Sequence, residues 1–317
     1  MKLFKRLDNL FITLWVQIRD SYLYLFRHAI IVNGYVDDHT WRGIRHRNWG
    51  DDLNYYFLQE ITGRPVVFYH NFKLAQWLHF KNYVCIGTLI DAKNCVTAES
   101  VIWGAGVSGL ERSFVHPVKV LAVRGPLTKD YCERYGVACP NIFGDPALLL
   151  SLIYNPSNNR LPKKKIGLIP NVADMEHPVI KELVESNNSD FELIDLSSYS
   201  EWTEVINKIA MCRCVFSSSL HGIIVSDVYQ VHNCWIKLSG KAIVGHLKFK
   251  DYLASVGRDE RSALKIESIQ DLYEFSNTEN YFSMADKEII ECLQKDLLRV
   301  SPLRLKTVGL SISSSKF

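Results

Sequence analysis

Residues 215–227 read VFSSSLHGIIVSD and lie where a short strand meets a helix. The apolar run MCRCVF predicts a buried strand, and the nearly continuous apolar residues after the serines predict a buried helix. A strand that turns directly into a helix is the repeating unit of α/β proteins with a parallel sheet. This stretch therefore indicates the fold class of the segment around it.

The same alternation of strands and helices extends through most of the chain. On the amino-terminal side, strands are predicted at HAIIVNGY, RPVVFYH, NYVCIG, ESVIWGAG and VKVLAVRG. A helix is predicted from about Asp51, with Gly63 and Pro65 as its stop signal, and another at PLTKDYCERYG. A second series of strands follows at KIGLIPN, FELIDLS, CRCVFSS and HNCWIKL.

A change of composition separates the two series. Residues 156–165 include the polar, basic stretch PSNNRLPKKK, which is typical of a linker between domains. We predict an N-terminal α/β domain over residues 28–155 and a C-terminal one over residues 166–300, each Rossmann-like with a parallel sheet. The last helix, at about residues 284–299, is predicted to cross back onto the first domain, and residues 301–317 form a loose tail.

Composition excludes several classes of function. The net charge of +3 is too small to indicate a nucleic-acid partner, and no basic run is interleaved with stacking aromatic residues. The eight cysteines form no CxxC pair and lie mostly in apolar runs, which favours reduced, buried thiols in a cytosolic protein. Neither a metal site nor a bound cofactor is predicted, since clustered metal-ligand spacing is absent.

The first 27 residues predict an amphipathic helix. Apolar residues recur at steps of three and four from Leu3 to Ile18, whereas Lys2, Lys5 and Arg6 lie off that stripe. Arg19 and Asp20 interrupt the apolar stretch, and no small-residue cleavage site follows, so neither a signal peptide nor a spanning segment is predicted. Residues 1–20 either rest on the inner face of the plasma membrane or dock on the protein or a second subunit.

Two parallel-sheet domains leave a cleft between them, and ligands bind beyond the carboxyl ends of such strands. In the 215–227 stretch, the helix start and the serine hydroxyls favour an anion there. The helix dipole would lower the pKa of His221, whereas an arriving dianion would raise it, which suits a general acid. Gly222 would allow a ligand or another backbone to approach closely. The residues concerned are Ser217, Ser218, Ser219, His221 and Gly222. The alternative is ordinary serine capping beside a solvent-facing histidine.

Three further turns carry charged residues. Arg124 ends a strand before Gly125 and Pro126 open a helix, so its guanidinium is either on the surface or grips a carboxylate or phosphate. Asp51 and Asp52 either cap their helix or reach into the cleft as a base or hydroxyl binder. Asp145 precedes a run of residues compatible with a helix, and the default interpretation is that its side chain caps that helix.

Taken in order, NWGDD, WGAGV, AVRGPLT, FGDPALLL, SSSLHGIIVSD and KFKDYLASVG resemble the motifs of the polysaccharide pyruvyl transferase family, over about residues 30–258. The chain looks most similar to the bacterial exopolysaccharide branch. The resemblance implies a fold similar to two-domain B-type glycosyltransferases, with phosphoenolpyruvate as donor and a sugar hydroxyl pair as acceptor. The implied product is a pyruvate ketal on an exopolysaccharide or its lipid-linked precursor.

The resemblance also implies roles for residues. Arg124 and His221 look like donor-binding and catalytic positions. In that chemistry Asp51 or Asp52 would either accept a proton from the sugar hydroxyl or orient it. Ser219 departs from the family, which carries an arginine two residues before the histidine. The missing cation is then supplied by the helix start itself or by a downstream residue. The candidates are Lys237, Lys241, Lys248, Lys250 and Arg258.

Two other functions remain open from the sequence. The fold also suits a glycosyltransferase that uses a nucleotide sugar, because fold alone does not identify the donor. The third hypothesis is a non-catalytic subunit of a polysaccharide assembly complex, attached by the N-terminal helix.

Overall fold

The computed structural model describes residues 2–110, 115–156, 165–186, 189–238, 246–258 and 262–306. Within them the chain forms two five-stranded sheets in which all strand pairs are parallel. The predicted α/β fold with two parallel sheets is therefore confirmed. The predicted linker is described only at its two ends, and the tail only as far as residue 306.

The first sheet has the strand order β2-β1-β3-β4-β5. Its strands are β1 (Ile30–Val32), β2 (Val66–Phe68), β3 (Asn82–Val84), β4 (Ser100–Trp103) and β5 (Lys119–Ala122). The second sheet has the order β10-β9-β8-β6-β7. Its strands are β6 (Lys165–Ile169), β7 (Phe191–Leu193), β8 (Cys212–Ser217), β9 (His232–Lys237) and β10 (Leu264–Lys265).

Helices connect the parallel strands in both halves, as parallel pairing requires. In the first half they are α1 (Lys2–Arg27), α2 (Trp49–Thr62), α3 (Lys73–Trp77), α4 (Pro126–Arg134) and α5 (Leu150–Ile153). In the second half they are α6 (Pro178–Ser186), α7 (Trp202–Met211), α8 (Leu220–Val228), α9 (His246–Ser255), α10 (Ile269–Ser276) and α11 (Lys287–Arg299). None of the described helices is both long and apolar enough to cross a bilayer.

The ends of α2 show how local residues set its length. Asn48 caps its start by accepting a hydrogen bond from Gly50 N, so the predicted capping by Asp51 or Asp52 is wrong. At the other end Gly63 adopts φ 68°, a left-handed conformation that glycine favours. The predicted stop at Gly63 is confirmed.

One hydrophobic core joins the two sheets. It contains Leu53 and Phe57 of α2, Ile223 of α8 and Leu297 of α11. Trp103 Nε1, at the end of β4, donates a hydrogen bond to the Leu297 carbonyl at 3.1 Å. The last helix therefore does cross back onto the first half, and the two sheets are held together by buried apolar contact.

Candidate active site

The start of α2 lies between the carboxyl ends of the strands of both sheets. Trp49 N donates to the Leu196 carbonyl, which follows β7, at 2.8 Å. Trp49 Nε1 donates to the carbonyl of Trp202 in α7 at 2.7 Å. The first turn of this helix is thereby fixed against the second half of the molecule.

His221 packs directly against that turn. Its side chain is buried, and a Cβ atom placed on Gly50 would lie only 1.9 Å from His221 Nδ1. No side chain larger than hydrogen fits at position 50 while the imidazole stays where it is. The predicted alternative of a solvent-facing histidine is therefore wrong, because α2 covers the ring.

His221 and Asp145 form a close pair with unused hydrogen-bonding capacity. His221 Nε2 lies 3.9 Å from Asp145 Oδ2, and both atoms are buried with no hydrogen-bond partner among the described residues. The other oxygen, Asp145 Oδ1, accepts from Ala147 N at 2.9 Å, so the predicted cap is present. Buried polar atoms are normally satisfied, so orphaned atoms this close together mark a candidate site for a polar ligand group.

Arg124 is fully buried, so the predicted alternative of a surface arginine is wrong. Its Nε donates to Asp251 Oδ2 at 2.9 Å, Nη1 to Thr88 Oγ1 at 2.9 Å, and Nη2 to the Val107 carbonyl at 2.8 Å. Gly106 leaves the space for the guanidinium, since a Cβ there would lie 2.2 Å from Arg124 Cζ. The contacts fix the group and use three of its five N–H donors.

The cluster around His221 mixes charges of both signs at short range. Burial, followed by the positive charges of Lys248 and Arg124, lowers the pKa of His221 to about 3. Burial and Arg124 also lower the pKa of Lys248. Burial raises the pKa of Asp145 to about 6, and burial together with Asp52 raises that of Asp51 to about 7. Perturbed ionisation of this kind is concentrated at functional sites.

The two adjacent aspartates have different surroundings. Asp51 is partly exposed, accepts from Asn48 Nδ2 at 2.9 Å, and interacts electrostatically with Lys248 and Asp145. Asp52 is fully buried and accepts from the Tyr199 hydroxyl at 2.6 Å. Of the two, Asp51 is the one that the structure brings to the His221 cluster.

The serine hydroxyls before α8 mostly form hydrogen bonds within the protein. Ser217 Oγ donates to the Ser219 carbonyl at 2.8 Å, and Ser218 Oγ donates to Asp174 Oδ2 at 3.0 Å. Ser219 occupies the N-cap position, but its side chain does not cap the helix. The first turn of α8 therefore lacks the side-chain cap that the sequence suggested, which leaves its N–H groups available for an anion.

Gly222 lies close to the ends of β6 and β8. A Cβ at this position would lie 2.3 Å from Ser217 Oγ and 3.1 Å from Ile169 Cδ1. The missing side chain makes room for these strand ends, and the close approach of a ligand stays a prediction.

Among the candidate cations, Lys248 is the one placed in the cluster. Arg258 instead donates to both oxygens of Asp227, each at 2.8 Å, in a buried pair elsewhere. Lys237 lines a small cavity with Asp174 and Ser218. Lys250 has an interaction partner of its own, and residue 241 lies outside the described residues.

Two residues of the site were missed from the sequence. Gly50 is the glycine of NWGDD, and only its contact with α8 gives it a role. Asp251, in KFKDY, accepts from Arg124 and also from the Thr128 amide and hydroxyl, at 2.9 and 2.6 Å. An acid so near Lys248 was the available signal, but the partner lies 127 residues away.

Within the described residues, no three histidine, cysteine, aspartate or glutamate side chains are grouped so that they would hold a metal ion.

Comparison with known proteins identifies the family. The family model for polysaccharide pyruvyl transferases matches residues 9–239, which include α2, Arg124, Asp145 and the start of α8. The chain is also 28% identical over 214 residues to an uncharacterized protein of Acanthamoeba polyphaga mimivirus, covering 66% of this chain and 71% of that protein. Because the family match spans well over half of the chain and includes Asp51, Arg124, Asp145 and His221, this protein belongs to the polysaccharide pyruvyl transferase family.

Proposed function

We propose that this protein transfers the pyruvyl group of phosphoenolpyruvate onto two hydroxyls of a sugar in a surface polysaccharide or its lipid-linked precursor, forming a pyruvate ketal. The supporting observation is the buried cluster in which Arg124, Lys248 and His221 lie together with Asp145 and Asp51. These acids, the base and the cations come from both halves of the molecule. Such a set suits a donor that carries a phosphate and a carboxylate.

The donor's phosphate and carboxylate need several positive partners. Arg124 and Lys248 supply charge, and the uncapped first turn of α8 supplies N–H groups and the positive end of the helix dipole. Lys248 thereby takes the role of the arginine that Ser219 replaces. A fixed guanidinium costs little reorganisation when the anion arrives, because Asp251 already orients it.

Donor binding would also change the protonation of His221. The two cations that depress its pKa are the groups that a bound phosphate or carboxylate would neutralise. Neutralising them raises the pKa of His221, while burial, the largest cause of its low value, stays in place. Asp145 next to Nε2 stabilises the imidazolium. Binding of the substrate therefore favours the protonated form of the general acid.

Each step of the reaction balances with these residues. His221 gives its proton to C3 of phosphoenolpyruvate, whose double-bond electrons form the new C–H bond and leave an oxocarbenium-like C2. A sugar hydroxyl attacks C2 and loses its proton to Asp51, whose pKa of about 7 suits a base near neutrality. Phosphate then leaves by C–O cleavage and takes the proton from Asp51, and the second hydroxyl closes the ketal by giving its proton to His221, which the first step left neutral.

We place the reaction in the cytoplasm. Six cysteines of the described segments are free thiols, namely Cys85, Cys95, Cys132, Cys139, Cys214 and Cys292. A chain with this many free thiols suits a reducing compartment.

Two measurements test the proposal. Mass analysis of glycan acceptors incubated with the protein and phosphoenolpyruvate should reveal the added pyruvate, with release of one phosphate per ketal. Phosphoenolpyruvate should also raise the melting temperature of the protein, because it binds only the folded state. Stabilisation by nucleotide sugars and not by phosphoenolpyruvate would instead favour a glycosyltransferase.

The His221→Gln variant tests the mechanism. We expect phosphate release in the presence of acceptor to fall by at least about 100-fold, the usual scale for losing a general acid. Phosphoenolpyruvate should still stabilise the variant, because Arg124 and Lys248 remain. Near-normal turnover would exclude His221 as the acid.

A further inference from the structure

α1 docks on the protein through the fully buried Val16, through Leu23 and Tyr24, and through a set of polar contacts. Gln17 binds the backbone of Asn71 and Lys73, and Arg19 and the fully buried Asp20 form an ion pair at 2.7 Å. Arg19 also reaches Asp38 at 3.3 Å. These contacts fix the rotation of the helix about its own axis, and they direct a particular face away from the body.

The outward face is the apolar one, which is the reverse of an ordinary surface helix. At about 100° per residue, its apolar side chains fall within an arc of about 160°. The exposed members, which we call the α1 face, are Leu7, Leu10, Phe11, Leu14, Trp15, Ile18, Tyr22, Leu25 and Phe26. Leu10 is 64% exposed and Phe26 68%, which is unusual for side chains of this kind.

The loop beside the helix continues this face. Trp41 is exposed, and its ring centroid lies 6.4 Å from that of Trp15. Trp15 Nε1 also donates to the Trp41 carbonyl, which fixes the loop against the helix. A contiguous, aromatic-rich apolar surface on a folded protein marks an interaction site.

The charges near the two ends of α1 and in the adjacent loop are predominantly positive, and those of the helix lie off the α1 face. Arg6, Arg27 and Arg42 are exposed, and the helix sequence adds Lys2 and Lys5. The exposed acid on α1 is Asp8. Basic residues beside apolar and aromatic ones match a surface that offers anionic headgroups above an acyl interior.

We propose that the α1 face binds the surface of a membrane containing anionic lipids, with the helix lying in the interfacial plane. The contact extends beyond residues 1–20 to Phe26 and Trp41. It does not rest on the proposed function, although it would hold the active site beside a lipid-linked acceptor.

Charge favours a membrane over a second copy of the chain. At about 100° per residue, Arg6 and Arg27 lie about 120° and about 180° from the centre of the α1 face, near the two ends of the helix, where long basic side chains reach lipid headgroups beside a buried apolar face. A second copy of the chain would bring the same excess of bases over acids. An anionic lipid surface meets the same charges favourably.

Vesicle co-sedimentation of the full chain tests the proposal. We expect binding to vesicles of phosphatidylcholine mixed with phosphatidylglycerol, weaker binding to pure phosphatidylcholine, and partial release by salt. Phe11→Gln combined with Leu14→Gln should lower the partition coefficient at least about 30-fold, because two exposed apolar side chains are lost. Glutamine keeps helix propensity. The matched control is Val184→Gln, an exposed apolar position on α6.

The outcomes separate the alternatives. Loss of binding in the α1 variant but not in the control, with unchanged circular dichroism, supports the proposal. Absence of vesicle binding by the unaltered protein, or equal binding by both variants, overturns it. A dimer in sedimentation analysis that the double variant dissociates, without vesicle binding, assigns the face to a second copy. Pyruvyl transfer to a soluble acceptor is measured separately, so failure of one proposal leaves the other standing.

Discussion

At the scale of single residues, the contact between Gly50 and His221 controls the site. The glycine lies in the first turn of α2 and the histidine in the first turn of α8, so their contact joins the two halves of the molecule. Helix propensity alone would favour alanine at position 50 by about 1 kcal/mol. The absence of a side chain there is explained by the imidazole.

Replacing Gly50 should therefore disturb the site more than the fold. In Gly50→Ala, the new methyl group must displace the His221 ring, and we expect phosphate release to fall at least about 10-fold. Gly34→Ala is the matched control, since its Cβ would find its nearest neighbours at 3.6 Å. Phosphate release and melting temperature should be measured on both variants. Equal activity in the two would show that the ring accommodates the methyl group without cost.

The raised pKa of Asp51 has a consequence for stability. Its folded-state pKa of about 7 lies above the ordinary value of 3.8, so the folded protein binds this proton more tightly than the unfolded chain does. The stabilisation is full below about pH 4 and is lost as the pH rises through 7, by up to about 1.4 kcal/mol per pH unit.

Asp51→Asn removes this pH dependence. Relative to the unaltered protein, we expect the variant to gain melting temperature between pH 5 and pH 8, because no buried charge has to form. Asp145, Lys248 and His221 remain in both proteins, so the difference reports the loss of the Asp51 carboxyl together with its interactions with Asp145 and Lys248. The exposed Asp8→Asn variant is the control and should show no such change. A difference that stays constant with pH would contradict the assignment.

The sequence predicted much of the site at this scale. Arg124, Asp145 and the His221 turn follow strands, and carboxyl ends of parallel strands lie at one edge of a sheet. The sequence could not show that Gly50 touches His221 or that Asp251 holds Arg124. Both contacts form between segments far apart in the chain, and their geometry depends on how the two halves pack.

At the scale of elements, α9 is the connection that orients Arg124. Asp251 on this helix contacts both Arg124 and the first turn of α4. Gly125 permits this approach, since a Cβ there would lie 2.1 Å from the Asp251 carbonyl oxygen. The segments GPL (residues 125–127) and KFKDY (residues 248–252) therefore form the two sides of the contact between α4 and α9.

A double-mutant cycle should detect this connection. Asp251→Asn or Arg124→Met alone leaves a buried group without its charged partner and should cost about 3–5 kcal/mol in the free energy of unfolding. The double variant should cost clearly less than the sum. The exposed pair Lys287–Glu291, 3.8 Å apart, is the control and should show a coupling below about 0.5 kcal/mol. Urea unfolding supplies the energies, and additive costs at Arg124 and Asp251 would contradict their coupling.

Element boundaries show where local patterns suffice. The glycine at position 63 ended α2 as predicted, because a left-handed residue is a local requirement. The predicted start of the same helix at Asp51 was too late, because the Asn48 side chain makes the capping bond with Gly50 N. Residue types alone do not show which of several neighbouring polar side chains caps a helix.

At the scale of the whole molecule, the two sheets share one core. Residues of α2, α8 and α11 contribute to the same buried cluster, although they are distributed over both halves of the sequence. The alternation of strands and helices predicted two sheets, but this shared core depends on tertiary packing. Strong coupling of this kind makes independent unfolding of either half costly.

We therefore expect one cooperative unfolding transition. Circular dichroism and tryptophan fluorescence should report the same midpoint, since Trp103 lies in the first sheet and Trp235 in the second. Leu297→Ala removes a fully buried side chain and should lower the free energy of unfolding by about 2–5 kcal/mol. The midpoint should fall accordingly, and the transition should stay single. Leu272→Ala, in the separate core of the second sheet, is the comparison. Two resolved transitions in the unaltered protein would refute the shared core as the dominant link.

The bond from Trp103 to Leu297 also has a meaning for biosynthesis. The two residues are separated by 194 positions, so a ribosome that has completed β4 must still make most of the second half before the acceptor exists. Until α11 emerges, the nascent chain presents Trp103 and its apolar neighbours without their cover. The first sheet is translated first, but its packing is completed only after α11 has been made.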